Sequence, residues 1–311
     1  MLARTFASPI ALLSFVAAAS GGCAPPTTYR TTSFVPAARP LAWDGRAGER
    51  GAIRVDASLS HVEVQTHAPD PNGGPALRVP NTLVEGSATI APVDHFEIGV
   101  RAAAGFSGLA TDAESEAAPV PGSPVLSGFG VEIRGTIPTH SHFAIGFAGN
   151  LMRYSVPYAQ WIRTDDPAAP GGPSASCTPS STCFQSLAGP YYKLNESGAT
   201  SQLALNVGAY PSYAFGPHGE LGWLVGYLGM HSAYTNDGFS DHPTSPLTQA
   251  GMIFTAGLGY AAKIDLVRLS AMAFVPLAGG NAPVTYGPGA MLTVGLDLPA
   301  FGEPREGPHE P

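Results

Sequence analysis

Alternation of apolar and small or polar residues, repeated in segment after segment from Gly51 to Leu298, is the feature that most limits what this chain can fold into. Phe96, Ile98, Val100, Ala102, Ala104 and Phe106 share one parity, while Glu97, Gly99, Arg101, Ala103 and Gly105 share the other. A period of two belongs to strands whose faces meet unlike surroundings. Phe129, Val131, Ile133 and Ile137 repeat the split against Gly130, Glu132, Arg134 and Thr136. Leu203, Leu205, Val207 and Ala209 repeat it against Gln202, Ala204, Asn206 and Gly208, as do Ala290, Leu292, Val294, Leu296 and Leu298 against Met291, Thr293, Gly295 and Asp297.

About ten such segments start near Ala52, Leu83, Phe96, Ser127, His142, Ser201, Leu221, Gly251, Leu266 and Tyr286, most close to the roughly 9 to 11 residues of a tilted membrane-crossing strand. In the first, Ile53, Val55 and Leu59 have one parity and Val62 and Val64 the other, so a bulge near Ser60 and His61 is expected. Connections alternate in length. Those at Pro92 to His95, Ile137 to His140, Gly216 to Gly219 and Lys263 to Asp265 are short, whereas those following Thr66, Ser107, Ser155, Ser232 and Ala278 are mostly long and rich in turn residues. Tight turns therefore collect on one rim and long loops on the other. Charged residues are 12% of the chain against 44% hydrophobic, so much of the surface must meet something other than water.

From Gly51 to Leu298 this pattern resembles the bacterial outer-membrane β-barrel superfamily. The resemblance implies an all-β fold, an antiparallel up-and-down transmembrane β-barrel of about ten strands, surrounded by outer-membrane lipid. It also implies amino and carboxyl termini both on the periplasmic side. The expected division is an export signal over residues 1–22, a flexible Pro-containing linker over 23–50, the barrel over 51–298 and a polar tail over 299–311.

Arg4, the short apolar stretch Phe6 to Ala19 and Ser20-Gly21-Gly22-Cys23 read as the export signal, too short to span a membrane. Its end resembles the lipobox of bacterial lipoproteins, which implies acylation of Cys23. Cleavage near Ala17-Ala18-Ala19, leaving Cys23 as a thiol, is the alternative. Cys177 and Cys183 are expected to form a disulfide in an oxidising compartment, which leaves Cys23 as the odd cysteine.

Charges of both signs fall on the lumen parity: Arg54, Asp56, Glu85, Glu97, Arg101, Glu132, Arg134, Arg268 and Asp297. Paired, they would fill a narrow lumen as one hydrogen-bonded network, because an unpaired buried charge is very unfavourable. Tyr154, Tyr158 and Trp161 at one strand end, and Tyr213, Phe215 and Trp223 near Gly216, read as interfacial aromatic girdles.

No cofactor and no metal site is expected. Gly257-Leu258-Gly259-Tyr260-Ala261-Ala262 matches a dinucleotide fingerprint in letters only, since no helix and no acidic residue follow at the required distance. His140 and His142 read as polar turn residues, two ligands falling short of a metal site. Asp165-Asp166 and Asp241-His242 invite comparison with the rim residues of omptin proteases, but adjacent pairs face differently from spaced ones, and no enzyme activity is expected. A net charge of −8 without a basic cluster excludes nucleic acid as partner.

Three functions stay open. The first is a structural or interaction barrel with a largely closed lumen, whose long loops offer a surface to an extracellular partner. The second is a narrow channel for small solutes, made cation-preferring by acidic loop residues such as Asp112, Glu114, Glu116, Asp237 and Asp241. The third is a soluble periplasmic lipoprotein holding an apolar ligand in its cavity. The pattern fixes no oligomeric state.

Overall fold

The computed structural model describes residues 29–34, 36–66, 76–78, 80–106, 125–139, 142–165, 183–185, 191–216, 221–235, 252–280 and 284–299. Its strands are β1 (Tyr29–Phe34), β2 (Ile53–Thr66), β3 (Ala76–Arg78), β4 (Thr82–Val93), β5 (Phe96–Phe106), β6 (Leu126–Pro138), β7 (Phe143–Arg163), β8 (Cys183–Gln185), β9 (Tyr191–Ala214), β10 (Trp223–Thr235), β11 (Met252–Ile264), β12 (Val267–Gly280) and β13 (Val284–Leu298). No helix of the described residues is long and apolar enough to cross a membrane, which says nothing of strands.

Ten of these strands close a ring in the order β2, β4, β5, β6, β7, β9, β10, β11, β12, β13, every neighbour antiparallel. The seam pairs β13 with β2, from Val284 against Thr66 to Leu298 against Ile53. Closure leaves no free sheet edge around the wall. The period-two pattern sorts the side chains: Val55, Ile98, Phe129, Leu151 and Leu258 stand outside, Phe129 62% exposed, while their alternating neighbours turn into the lumen. An apolar outer wall with a polar lumen is what a bilayer-embedded barrel requires, the reverse of a soluble one.

Short connections gather at the rim where β4 passes to β5, β9 to β10 and β11 to β12. His95 (φ 64°) and Asp265 (φ 56°) take left-handed backbone in two of these turns, a conformation that few residues other than glycine tolerate. We call this the short-turn rim.

Two expectations about the strands are corrected. Inward parity in β2 continues without a break through Arg54, Asp56, Ser58, Ser60 and Val62, so no bulge lies at Ser60 and His61. The extra residue sits in the partner strand, between Tyr286 and Gly289 of β13. Nor does the third long connection begin at Ser155. β7 and β9 stay paired well past their neighbours, Tyr158 opposite Gly198 and Arg163 opposite Tyr192, so a ribbon rises beyond the rim where the last β6 pair is Ser127 with Ser155.

Candidate functional site in the lumen

The nine charged residues assigned to the lumen by parity all come from the wall strands, and the structure brings them into one continuous network. Arg101 holds Glu132 at 2.6 Å, and Arg134 bridges Glu132 at 2.9 Å to Asp56 at 2.8 Å. Arg268 extends the chain to Asp56 at 2.9 Å and Asp297 at 2.7 Å. Arg54 joins Asp297 at 3.1 Å to Glu97 at 3.3 Å. Eight of the nine are buried, and Asp297 is partly so. Room for the Asp56–Arg268 pair depends on Gly295, where a Cβ would stand 2.3 Å from the Asp56 carboxylate.

The lumen holds a second component, which comes from the chain itself. Residues 36–50, expected as a flexible linker, run through the barrel as a strap whose first ten residues, 36–45, are buried. From the long-loop rim inward, the Arg39 carbonyl accepts from Asn206 at 2.8 Å while its guanidinium meets Glu85 at 2.9 Å. The Leu41 carbonyl accepts from the Tyr210 hydroxyl at 3.2 Å, and the Trp43 ring packs edge-on against Tyr210, centroids 5.0 Å apart. Trp223 Nε1 donates to the Asp44 carbonyl at 2.9 Å, and the Asp44 carboxylate pairs with Arg268 and with Arg54.

Towards the short-turn rim the strap stays tied. Arg46 lies over the Trp223 ring at 5.4 Å, the Ala47 amide donates to Thr136 at 2.7 Å, and the Gly48 amide to Glu97 at 2.7 Å. His95 of the β4–β5 turn then donates to the Gly48 carbonyl.

A proline-spaced segment has no repeating hydrogen bonds of its own, which suggested mobility. The wall's Asn206, Tyr210, Trp223, Thr136 and Glu97 supply the missing partners. Leu41, Ala42 and Trp43 meanwhile bury apolar surface that a free linker would leave in water. Close approach is set at Gly146, where a Cβ would lie 2.5 Å from the Gly45 carbonyl oxygen and 2.7 Å from the Trp43 ring. Sequence reasoning missed this component, although Arg39 and Asp44 bracketing Leu41-Ala42-Trp43 is an unusual composition for a linker.

The expected placement of the two termini falls on residues 1–28 and 300–311, which lie outside the described residues. β1 pairs antiparallel with the ribbon, Tyr29 against Ile162 and Ser33 against Tyr158, which lies beyond the long-loop rim. Leu298 pairs with Ile53 at the short-turn rim. The first and last described strands thus reach opposite rims. Tyr154 and Trp223 are no girdle residues, for both have lumen parity, and Trp161 is fully buried in the ribbon beside β1. Tyr213 does face outward, in contact with Phe215 and His142.

No family model matches the chain, and no curated protein matches it in sequence. Solved structures do resemble it. An outer membrane channel from Pseudomonas putida F1 aligns over 84% of this chain and 100% of its own, at 10% identity and a TM-score of 0.41. The N-terminal β-barrel domain of Pseudomonas aeruginosa OprF covers 80% and 98%, at 8% identity and TM-score 0.32. Ail, the attachment invasion locus protein of Yersinia pestis, covers 80% and 99%, at 9% identity and TM-score 0.29. The fold is a ten-strand up-and-down barrel.

Other candidates are placed less fully. Asp165 lies just past the end of β7 in a hydrogen-bonded pair with Arg163, which holds its carboxyl below the usual range. Asp166, Asp241, His242 and His140 lie outside the described residues, as do Cys23 and Cys177. Cys183 is buried at the head of β8, opposite Lys193. Among the described residues no three His, Cys, Asp or Glu side chains could hold a metal ion.

Proposed function

We propose that this chain is a bacterial outer-membrane barrel of structural or interaction type, without catalytic activity, whose lumen is closed by its own amino-terminal strap. The observation that carries the reading is the strap itself, fixed to the wall from Arg39 to Gly48 by side chains of β4, β5, β6, β9, β10 and β12. A strap so fixed would obstruct a continuous water path for a solute. What remains for the molecule to present is its ribbon and long loops, at the rim where β1 also lies. An acyl chain on Cys23, ahead of β1, would then serve as a tether at that rim.

A narrow cation-preferring channel is the second reading. Ser58, Ser60, Thr255 and Thr293 keep part of the buried lumen wall polar, which suits conduction once the strap is displaced. The soluble ligand-binding reading is disfavoured by the exposed apolar wall around the whole barrel.

Planar-bilayer recording of the full chain in a salt gradient, beside a variant lacking residues 37–45, tests the closed-lumen reading. The full chain is expected to give no steady current and the variant a small cation-selective one. Large steady currents from the intact chain would overturn closure.

A further inference from the structure

The outer wall of β6, β7 and β9 is ordered in level rows of outward side chains. Ile137, Ile145 and Pro211 share one row, Ile133, Gly149 and Val207 another, and Val131, Leu151 and Leu205 the next. All are apolar. The following row is Phe129, Arg153 and Leu203, and the row beyond it is Ser127, Ser155 and Ser201. Polarity therefore changes within a single row. From Phe143, level with Tyr213, to Arg153 the strand runs roughly 33 Å, which a tilt of about 40° shortens to about 25 Å, the height of a barrel's apolar band.

Arg153 thus sits at the headgroup level of the leaflet at the long-loop rim, on the lipid side. The other cations of the barrel wall, Arg54, Arg101, Arg134, Lys263 and Arg268, belong to the lumen network. Its Nε donates to Ser201 Oγ at 2.8 Å, and it has no carboxylate partner among the described residues. Around it is a notch of about 530 Å³ lined by Ser127, Ser155, Ser201 and Thr200. On the same strands lies an apolar groove of about 640 Å³, where Gly149 and Gly135 stand between Ile133, Phe147 and Val207. Gly149 is four residues from Arg153, about 13 Å along the strand, well within the length of one lipid molecule.

We propose that this notch and groove together form a binding site for one phosphate-bearing lipid of the surrounding leaflet. The guanidinium and the seryl hydroxyls donate to its phosphate oxygens, and an acyl chain lies over Gly149. A guanidinium matches phosphate in charge and in its two-pronged donor geometry. A bare arginine facing hydrocarbon, by contrast, would be strongly unfavourable at mid-bilayer and much less so at the interface, where an anion can meet it. The site rests on reading the apolar wall as lipid-facing.

Native mass spectrometry of the detergent-extracted full chain tests it, with phosphatidic acid, diacylglycerol of the same acyl chains, and inorganic phosphate as probes. The wild type should retain one phosphatidic acid about tenfold more strongly than diacylglycerol, the expected effect of a charge-assisted contact. Arg153→Gln should remove that preference, and Arg163→Gln on the ribbon should keep it. Gly149→Leu should weaken both lipids, since the added side chain would fill the groove; a Cβ there meets Val207 at 3.4 Å, the Asn206 carbonyl at 3.5 Å and Ile133 at 4.0 Å, all ordinary contacts, so the wall tolerates it. Equal retention by wild type and Arg153→Gln would overturn the site, as would displacement of the lipid by millimolar inorganic phosphate. A chain that proves soluble and monodisperse without detergent would instead overturn the membrane reading beneath it.

Discussion

Trp223 Nε1 and the Asp44 carbonyl are 2.9 Å apart in space and 179 positions apart in sequence. The bond joins the first residue of β10 to the middle of the strap, and the Arg46 guanidinium lies over the same indole. One wall residue therefore fixes both the height and the orientation of the segment inside the barrel. The expectations below follow from that attachment and from the polar contacts around it.

Asp44→Ala should destabilise the folded barrel by about 3 kcal/mol, the lower end for breaking a buried pair, because Arg268 keeps Asp56 and Asp297 as partners. Trp223→Phe, which deletes one hydrogen bond and keeps most of the ring, should lose about 1 kcal/mol. Urea titration of the protein in lipid vesicles measures both. An unchanged midpoint for Asp44→Ala would show that the strap adds nothing to stability.

Gly146→Leu should expel the strap without removing any of the side chains that bind it, because even a Cβ at this position stands 2.5 Å from the Gly45 carbonyl. Limited proteolysis should then cut between residues 36 and 50, where the wild type is protected. Continued protection would mean that β7 shifts to accommodate the side chain.

An epitope inserted just ahead of Tyr29 should bind antibody on intact cells, and one appended after Leu298 should not, since β1 lies beyond the long-loop rim and Leu298 at the opposite one. Flow cytometry reads the result directly. Staining at the carboxyl end alone would invert the barrel.

Cys177 and Cys183 are expected to be joined in protein recovered from the cell envelope, closing a small ring before β9. Peptide mass spectrometry without reduction decides it; two alkylated thiols would exclude the bond. In parallel, Cys23→Ser should leave an unprocessed precursor if Cys23 is acylated, and normal processing would return Cys23 to a plain thiol.

The wall was legible because every strand separates two environments, and a two-residue period records that separation locally. Arg54, Asp56, Glu132 and Arg134 could be assigned to the lumen from parity alone, with no knowledge of their partners. The strap left no such record. Arg39, Trp43 and Asp44 meet Glu85, Tyr210 and Arg268 on strands far away in sequence, and an extended proline-spaced segment shows no period. Tyr154 and Trp223 were misplaced for a related reason: their nearness to strand ends suggested an interface, while their parity already pointed inward. The ribbon beyond Ser155 was hidden because Ala159, Gln160, Trp161 and Ile162 are all buried in succession, so no two-residue alternation marks it.

The strap enters past β1, which is hydrogen-bonded to the ribbon, and leaves directly into β2, which is half of the closing seam. It is therefore not a cork that can be pushed out at either mouth. To leave towards the short-turn rim, the chain would have to unzip β1 and draw everything ahead of Tyr29 through the lumen; to leave sideways, β2 would have to part from β13. Opening and unfolding share a seam. A barrel built this way gains its barrier to solutes and its resistance to unravelling from the same length of chain, and whatever is joined ahead of β1 stays threaded for as long as the wall stays closed.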